Sequence, residues 1–162
     1  MNTRTSSSHS HRSSNKLDDK EAEHVVKTIR VLLVDDHTRL VQALRTLLEN
    51  DFEIVGSAGD GRTMIEMALK LNPDVVLVDL NLPVLRGFEA ARRLRKKAPK
   101  IAIVFLTTHE DRDLAAEALR IGASGYVLKK SAASELHRAI RASVRGRIFV
   151  SPSAGLLLPK TG

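Results

Sequence analysis

The sequence predicts an α/β fold in which a five-stranded parallel sheet carries helices on both faces, the doubly wound arrangement. Short apolar runs alternate five times with longer segments of helical periodicity. Four of the five runs are nearly continuous in apolar residues, as strands covered on both faces must be. The repeated β-α order favours parallel pairing through right-handed crossovers.

The strand candidates are short, and each is followed by a polar residue or a small one. In chain order they are Ile29–Val34, Glu53–Ser57, Val75–Val78, Ile101–Leu106 and Gly125–Leu128.

The helices between the strands are indicated by apolar residues three or four positions apart. In the first helix these residues are Leu40, Leu44, Leu47 and Leu48, and in the last they are Leu136, Ala139 and Ile140. Gly122 and Gly146 each follow a helical segment, where a C-terminal cap is expected.

The two ends of the chain differ from this middle region. Residues 1–27 are rich in Ser, His and charged side chains, so they are expected to form a disordered tail. Residues 28–146 then hold the domain, and residues 147–162 form a C-terminal extension or linker.

The composition narrows the range of functions. None of the 162 residues is Cys, which excludes disulfides, thiolate zinc sites and a cysteine nucleophile. The longest apolar run, Ile101–Leu106, is far shorter than the roughly 20 residues of a membrane-spanning helix, and the start lacks the apolar stretch of a secretory signal. A cytoplasmic location without membrane contact is therefore expected. The net charge of +7 invites a nucleic-acid partner, but an aromatic content of 3% leaves few rings for base stacking.

Polar residues stand at the ends of four predicted strands, and these ends share one edge of a parallel sheet. Asp35 and Asp36 follow the first strand, Asp79 the third, Thr107 the fourth and Lys129 the fifth. Close carboxylate pairs repel by about 1–4 kcal/mol at ~4 Å, so a cation is expected among them. A few oxygen ligands suit Mg²⁺ better than Ca²⁺.

The strand-end residues together favour a phosphoryl site. A divalent cation, a lysine and a hydroxyl around one carboxylate would stabilise an aspartyl phosphate. Each residue alone has a simpler explanation: an Asp there can cap a helix, Lys129 can be solvated, and Thr107 can be an ordinary strand residue. Their conjunction at one sheet edge is what favours the phosphoryl site.

Four segments resemble the receiver domain of two-component response regulators, and the match covers roughly Ile29 to Arg145. They read VDDH at 34–37, VDLNLPVLRG at 78–87, LTT at 106–108 and GASGYVLK at 122–129. The DDH triplet and GRIFVSP at 146–152 are similar to the NarL/FixJ (LuxR-type) subfamily. The resemblance implies the (βα)5 flavodoxin-like receiver fold.

The resemblance also implies a Mg²⁺-dependent phosphoacceptor. Asp79 would take a phosphoryl group from the phosphohistidine of a sensor histidine kinase. Asp36 would bind Mg²⁺ directly together with Asp79 and the backbone carbonyl of Asn81, whereas Asp35 would act through water.

A switch is implied by three further positions. Lys129 would pair with the phosphoryl group, Thr107 would move towards it, and Tyr126 would turn inward afterwards. The face made by the fourth helix, fifth strand and fifth helix would then change and support a homodimer. The chain would catalyse only its own phosphorylation and dephosphorylation, and is not otherwise expected to be an enzyme.

The implied output is transcription through a helix-turn-helix domain. The sixteen residues after Gly146 are too few for its three helices, so no specific DNA binding is expected of this chain alone. A stand-alone phosphorelay receiver is the alternative.

The sequence departs from the family pattern near the site. Thr108 stands where Ala or Gly usually follows the switch Thr, and Val84 and Arg86 stand where Gly and Asn or Asp are common. Thr108 and His109 lie at the mouth of the site and are expected to tune the lifetime of the phosphorylated form.

Three other functions have some support. Residues 56–63 match the phosphate-binding P-loop except that Arg62 replaces its Lys, which would indicate a nucleotide hydrolase. A phosphohydrolase with Asp79 as nucleophile would need an acid or base where Asn81 stands. The basic helix around residues 92–100 could bind nucleic acid, although its apolar positions indicate a solvated basic face.

Overall fold

The sheet has six parallel strands. They are β1 (Arg30–Val34), β2 (Glu53–Ala58), β3 (Val75–Val78), β4 (Ala102–Thr107), β5 (Gly125–Leu128) and β6 (Phe149–Val150). The strand order is β2-β1-β3-β4-β5-β6, and every neighbouring pair is parallel. This computed structural model describes residues 27–155, so the predicted tail, apart from Lys27, and the last seven residues lie outside the described part.

Five helices connect the strands. They are α1 (Thr38–Leu48), α2 (Gly61–Leu71), α3 (Gly87–Lys97), α4 (Arg112–Arg120) and α5 (Ala132–Val144). The predicted α/β doubly wound receiver fold is confirmed. Within residues 27–155, no helix is long and apolar enough to cross a bilayer.

Alternate strand residues feed two separate cores. Leu32 and Val34 pack beneath α2, α3 and α4, whereas Val31 and Leu33 pack beneath α1 and α5. All four are buried, because helices cover the sheet on both faces. This double burial is the reason for the continuous apolar runs in the sequence.

The sequence did not indicate β6. Phe149 and Val150 lie in the predicted extension, yet they pair with Gly125 and Tyr126 of β5. A strand of two residues is too short to show a period. The sheet therefore has a sixth strand in addition to the five predicted ones, and this strand pairs with the outer edge of β5 at Gly125 and Tyr126.

Helix ends confirm one expectation and overturn another. Gly122 and Gly146 follow α4 and α5 in the left-handed conformation, with φ of 98° and 74°.

The P-loop alternative is wrong, because Gly56 lies within β2 and Asp60 caps α2 through the backbone N–H of Thr63. Between β2 and α2 the chain has no loop long enough to surround a phosphate.

Candidate functional site

Two buried aspartates lie side by side at the carboxyl edge of the sheet. Val34 pairs with Val78, so the next residues, Asp35 and Asp79, leave neighbouring strands together. Their residues are 6% and 4% exposed. One ligand atom each from Asp35, Asp36, His37 and Asp79 lies within 4.8 Å of the others. The predicted convergence of the carboxylates is therefore present.

Lys129, which follows β5 at the same edge of the sheet, extends its side chain to these aspartates. Its Nζ lies 2.9 Å from Oδ2 of Asp35 and 3.3 Å from Oδ2 of Asp79. Burial lowers the pKa of Lys129, but the hydrogen bond and charge of Asp35 and the charge of Asp79 outweigh it and raise the pKa above its ordinary value. The ammonium therefore stays charged between the carboxylates.

His37 is a member of this cluster to which the sequence assigned no role. Its backbone N–H donates to Asp35 Oδ1 at 2.9 Å, and its ring Nδ1 lies 2.8 Å from the same oxygen and 3.1 Å from Asp36 Oδ1. Burial raises the pKa of Asp35, yet hydrogen bonds from Lys129 and His37 lower it overall. The Asp35 hydrogen bond in turn raises the pKa of His37. The only sequence signal was its position directly after the Asp pair.

His109 connects three of the predicted switch and site residues. Its backbone N–H donates to Thr107 Oγ1 at 3.2 Å, and its carbonyl accepts from the Tyr126 hydroxyl at 2.7 Å. Its ring Nε2 lies 3.0 Å from Asn81 Nδ2. Thr107 and Tyr126 are fully buried, so Tyr126 occupies the inward position in this structure. Burial and the charge of Asp111 raise the pKa of Tyr126 to about 12.

Residues 31–141 match the family described as the response regulator receiver domain. The chain belongs to this family. It is a receiver domain of two-component systems and is related to transcriptional regulators.

Two curated relatives are longer than the part that this chain matches. The transcriptional regulatory protein DegU of Brevibacillus brevis is 34% identical over 126 residues, which are 76% of this chain and 53% of DegU. The uncharacterized transcriptional regulatory protein YxjL of Bacillus subtilis strain 168 is 38% identical over 136 residues, 82% of this chain and 62% of YxjL. The chain thus spans little more than half the length of these relatives.

A solved structure supports the same assignment. The crystal structure of a LuxR-family two-component response regulator from Aurantimonas sp. SI85-9A1 superposes with a TM-score of 0.76 at 36% identity. The alignment covers 80% of this chain and 94% of that chain.

The acidic cluster has the donor chemistry of the Mg²⁺ pocket of receiver domains. Asp35, Asp36 and Asp79 offer hard oxygen ligands, which Mg²⁺ prefers. The side chain of Asp36 is 39% exposed and, within the described residues, makes one polar contact, to His37. Asp36 is thus the carboxylate most open to a cation, whereas both oxygens of Asp35 already have partners.

Two positions in the loop after Asp79 have backbone surroundings that favour glycine. A side chain at Gly87 would place its Cβ 2.3 Å from the Asp79 carbonyl oxygen, so only glycine fits there. Val84 has a φ of 66°, in the region that favours glycine, and its side chain is exposed. The expectation that Gly suits the Val84 position thus has a backbone reason, since Gly adopts this conformation without strain.

The face formed by α4, β5 and α5 differs from the expectation in one respect. Over Gly125 and Tyr126 the outer edge of β5 is paired with β6. Any contact on this face therefore meets α4, β6 and α5 along that stretch.

Proposed function

We propose that this receiver domain accepts a phosphoryl group on Asp79 from the phosphohistidine of a sensor histidine kinase. The observation that carries the proposal is the contact of one ammonium, Lys129 Nζ, with both buried carboxylates, Asp35 and Asp79. An ammonium shared by two buried carboxylates would stabilise a negatively charged intermediate on one of them, whereas a helix cap needs no such cation.

The transfer is a displacement at phosphorus. An Asp79 carboxylate oxygen attacks the phosphorus, the phosphorus–nitrogen bond to the donor imidazole breaks, and that nitrogen leaves with the electron pair. Lys129 balances the negative charge that arrives beside Asp79, and the Thr107 hydroxyl at the end of the neighbouring strand can donate to a phosphoryl oxygen. Asp36, Asp79 and the Asn81 carbonyl would hold Mg²⁺, with Asp35 helping through water, and the ion would supply further positive charge beside the transferred group.

The same residues connect chemistry to output. If the Thr107 hydroxyl turns to the phosphoryl group, it gives up the bond from His109 N–H, and the His109 carbonyl holds Tyr126. This route leads to the α4-β5-α5 face, where we propose a homodimer in the phosphorylated form. The energy that shifts this equilibrium is the stronger binding of the phosphoryl group in one of two packings.

We propose transcription as the output, through a DNA-binding domain that is not among these residues, since the curated relatives are transcriptional regulators. We propose a cytoplasmic location for this receiver, the compartment in which a sensor histidine kinase would present its phosphohistidine. A stand-alone phosphorelay receiver remains the second candidate, and it needs the same chemistry at Asp79.

The test is phosphorylation by a small donor. We expect the parent chain with Mg²⁺ and radiolabelled acetyl phosphate to take up label that is lost in Asp79→Asn. The matched control is Asp113→Asn, an exposed carboxylate in the first turn of α4, which should label like the parent. Equal labelling of Asp79→Asn and the parent, or no labelling of the parent, would overturn the proposal.

A further inference from the structure

Ser151 is a fully buried polar residue at the point where the chain leaves the sheet. It directly follows β6 and precedes a short 3-10 helix, Pro152–Ala154. Its backbone N–H donates to the Tyr126 carbonyl at 2.9 Å. Its Oγ accepts from the backbone N–H of Leu128 at 3.0 Å.

The hydroxyl of Ser151 takes the place of a strand neighbour. The Tyr126 carbonyl and the Leu128 N–H both face the outer edge of β5, but β6 ends at Val150 and the chain turns away at Pro152. Without the hydroxyl, the Leu128 N–H would be a buried donor that has lost its acceptor, and an unpaired buried donor is costly. One residue therefore completes the hydrogen bonding of the last part of β5.

The same hydroxyl also reaches α5. Ser151 Oγ donates to Glu135 Oε1 in the first turn of that helix. The hydroxyl thus accepts from Leu128 and donates to Glu135, using both of its hydrogen-bonding roles.

Lys129 lies between these two anchors. It directly follows Leu128 and begins the 3-10 helix Lys129–Ser131 that leads into α5. Residues 128 and 135 are both bonded to Ser151, so the segment carrying Lys129 is held at each end by one hydroxyl. On its inner side, Leu128 is paired with Thr107 of β4.

We infer that Ser151, oriented by Glu135, is a positioning residue that holds the Lys129 ammonium between Asp35 and Asp79. This rests on the proposed role of Lys129 in binding the phosphoryl group. A lysine stem is long and flexible, so the 2.9 Å and 3.3 Å contacts of its Nζ depend on a fixed backbone. Loss of the Ser151 hydroxyl frees the Leu128 N–H and the end of β5, and the ammonium loses its alignment with the acceptor carboxylate.

The experiment compares two ligands of the same pocket. Under the proposed function, beryllofluoride, a mimic of the phosphoryl group, would bind at Asp79 beside Lys129, whereas Mg²⁺ would be held by residues at the ends of β1 and β3. We expect Ser151→Ala to weaken beryllofluoride binding at saturating Mg²⁺ by about tenfold, the size of effect typical when a residue that positions a direct ligand is lost. The Mg²⁺ affinity should stay within about twofold of that of the parent. The control is Ser153→Ala, a change at an exposed serine in the 3-10 helix that follows Ser151, and this variant should bind both ligands like the parent.

A double-mutant cycle separates positioning from general damage. If Ser151 acts through Lys129, Ser151→Ala should add almost nothing to the loss of beryllofluoride affinity and labelling rate in a Lys129→Gln background. An equal loss in both backgrounds, a parallel loss of Mg²⁺ affinity, or parent-like beryllofluoride binding by Ser151→Ala overturns the inference.

Two further variants keep the test decisive should Ser151→Ala fail to fold. Ser151→Cys retains the volume with a weaker acceptor, and Glu135→Gln weakens the orienting contact, so each should lower beryllofluoride affinity with Mg²⁺ affinity retained. Parent-like beryllofluoride binding by both would overturn the inference. A parent chain that binds no beryllofluoride would overturn the proposed function as well, whereas parent binding with no effect at Ser151 overturns only this inference.

Discussion

At the scale of single residues, Asp35 and Asp36 are adjacent in the chain but have different surroundings. The Asp35 side chain is 4% exposed, and its two oxygens contact Lys129 and His37. The Asp36 side chain is 39% exposed, and its one polar contact among the described residues is with His37. Adjacent acidic residues can therefore contribute unequally to cation binding.

We predict that Asp36→Asn weakens Mg²⁺ binding more than Asp35→Asn does. The first change removes a direct anionic ligand, whereas the second removes a carboxylate whose oxygens are already engaged. Calorimetric titration of both variants checks this, with the melting temperature measured alongside to separate loss of affinity from loss of fold. Equal losses, or no Mg²⁺ binding by the parent, would contradict it.

We predict that Thr108→Ala shortens the life of the phosphorylated form. Thr108 is exposed directly after Thr107, and water must reach the phosphorus in line with Asp79. A smaller side chain should widen that path and speed dephosphorylation by roughly tenfold if the barrier falls by about 1.4 kcal/mol. Pulse-chase decay of the aspartyl phosphate measures it, with the exposed Thr46→Ala in α1 as control. An unchanged or longer half-life would show that Thr108 does not limit access.

At the scale of elements, the start of α2 shows how one side chain stabilises a helix terminus. The Asp60 carboxylate accepts from the backbone N–H of Thr63 at 2.8 Å and from its hydroxyl at 2.9 Å. The backbone hydrogen bond, followed by the hydroxyl one, lowers the pKa of Asp60 below its ordinary value. The residues that resemble a P-loop in sequence therefore begin α2 with a side-chain cap.

We predict a pH-dependent contribution from this cap. Because the pKa of Asp60 is lower in the folded chain, its stabilisation is present above the unfolded value of about 3.9 and is lost as the pH falls through the folded value. Asp60→Ala should lower the free energy of unfolding by about 1 kcal/mol at neutral pH, and the gap to the parent should shrink below about pH 4. Denaturant unfolding from pH 7 to pH 3 measures this gap. Asp60→Asn, which retains a capping oxygen, should lose less at neutral pH, and a gap for Asp60→Ala that stays constant across the range would refute the account.

The elements also show which parts of the fold are readable in advance. The strand predictions for Val75–Val78 and Gly125–Leu128 match the structure. The first two strands differ from their predictions by one residue at one end, and the fourth is shifted by one residue at both ends. These strands are readable because burial on both faces requires apolar side chains throughout. The two residues of β6 pair with β5 and also pack against the two cores, but a segment this short gives no readable pattern in the sequence.

At the scale of the whole molecule, the positive charge is distributed over solvated faces. The chain has 26 Lys and Arg against 19 Asp and Glu. On α3, Arg92, Arg93, Lys96 and Lys97 are exposed and Arg95 is half-buried, whereas the core-facing residues are buried: Ala90, Ala91 and Leu94. Arg92 forms ion pairs with Glu89 and with Glu117 of α4. Such a surface attracts polyanions without reading a base sequence.

We predict that this chain alone binds duplex DNA without sequence preference, if it binds at all. Any affinity would come from counterion release, so it should fall steeply between about 50 mM and 200 mM salt. Fluorescence anisotropy with two unrelated duplexes should give the same curve at each salt concentration. A footprint on one sequence at physiological salt would contradict this.

The sequence by itself determined the fold class and most members of the site. Apolar runs such as Val75–Val78 indicate strands that are buried on both faces. The residues that follow these strands, such as Asp79, lie at one edge of the sheet because the carboxyl ends of parallel strands meet there. Only the tertiary structure decided which of these groups touch. Lys129 reaches Asp79 across β4 and Asp35 across both β3 and β4. His109 links Thr107 to Tyr126, and Ser151 completes the hydrogen bonding at the edge of β5. The physical reason is that periodicity records how deeply a residue is buried, whereas a hydrogen-bond partner distant in the chain depends on strand order, register and side-chain reach.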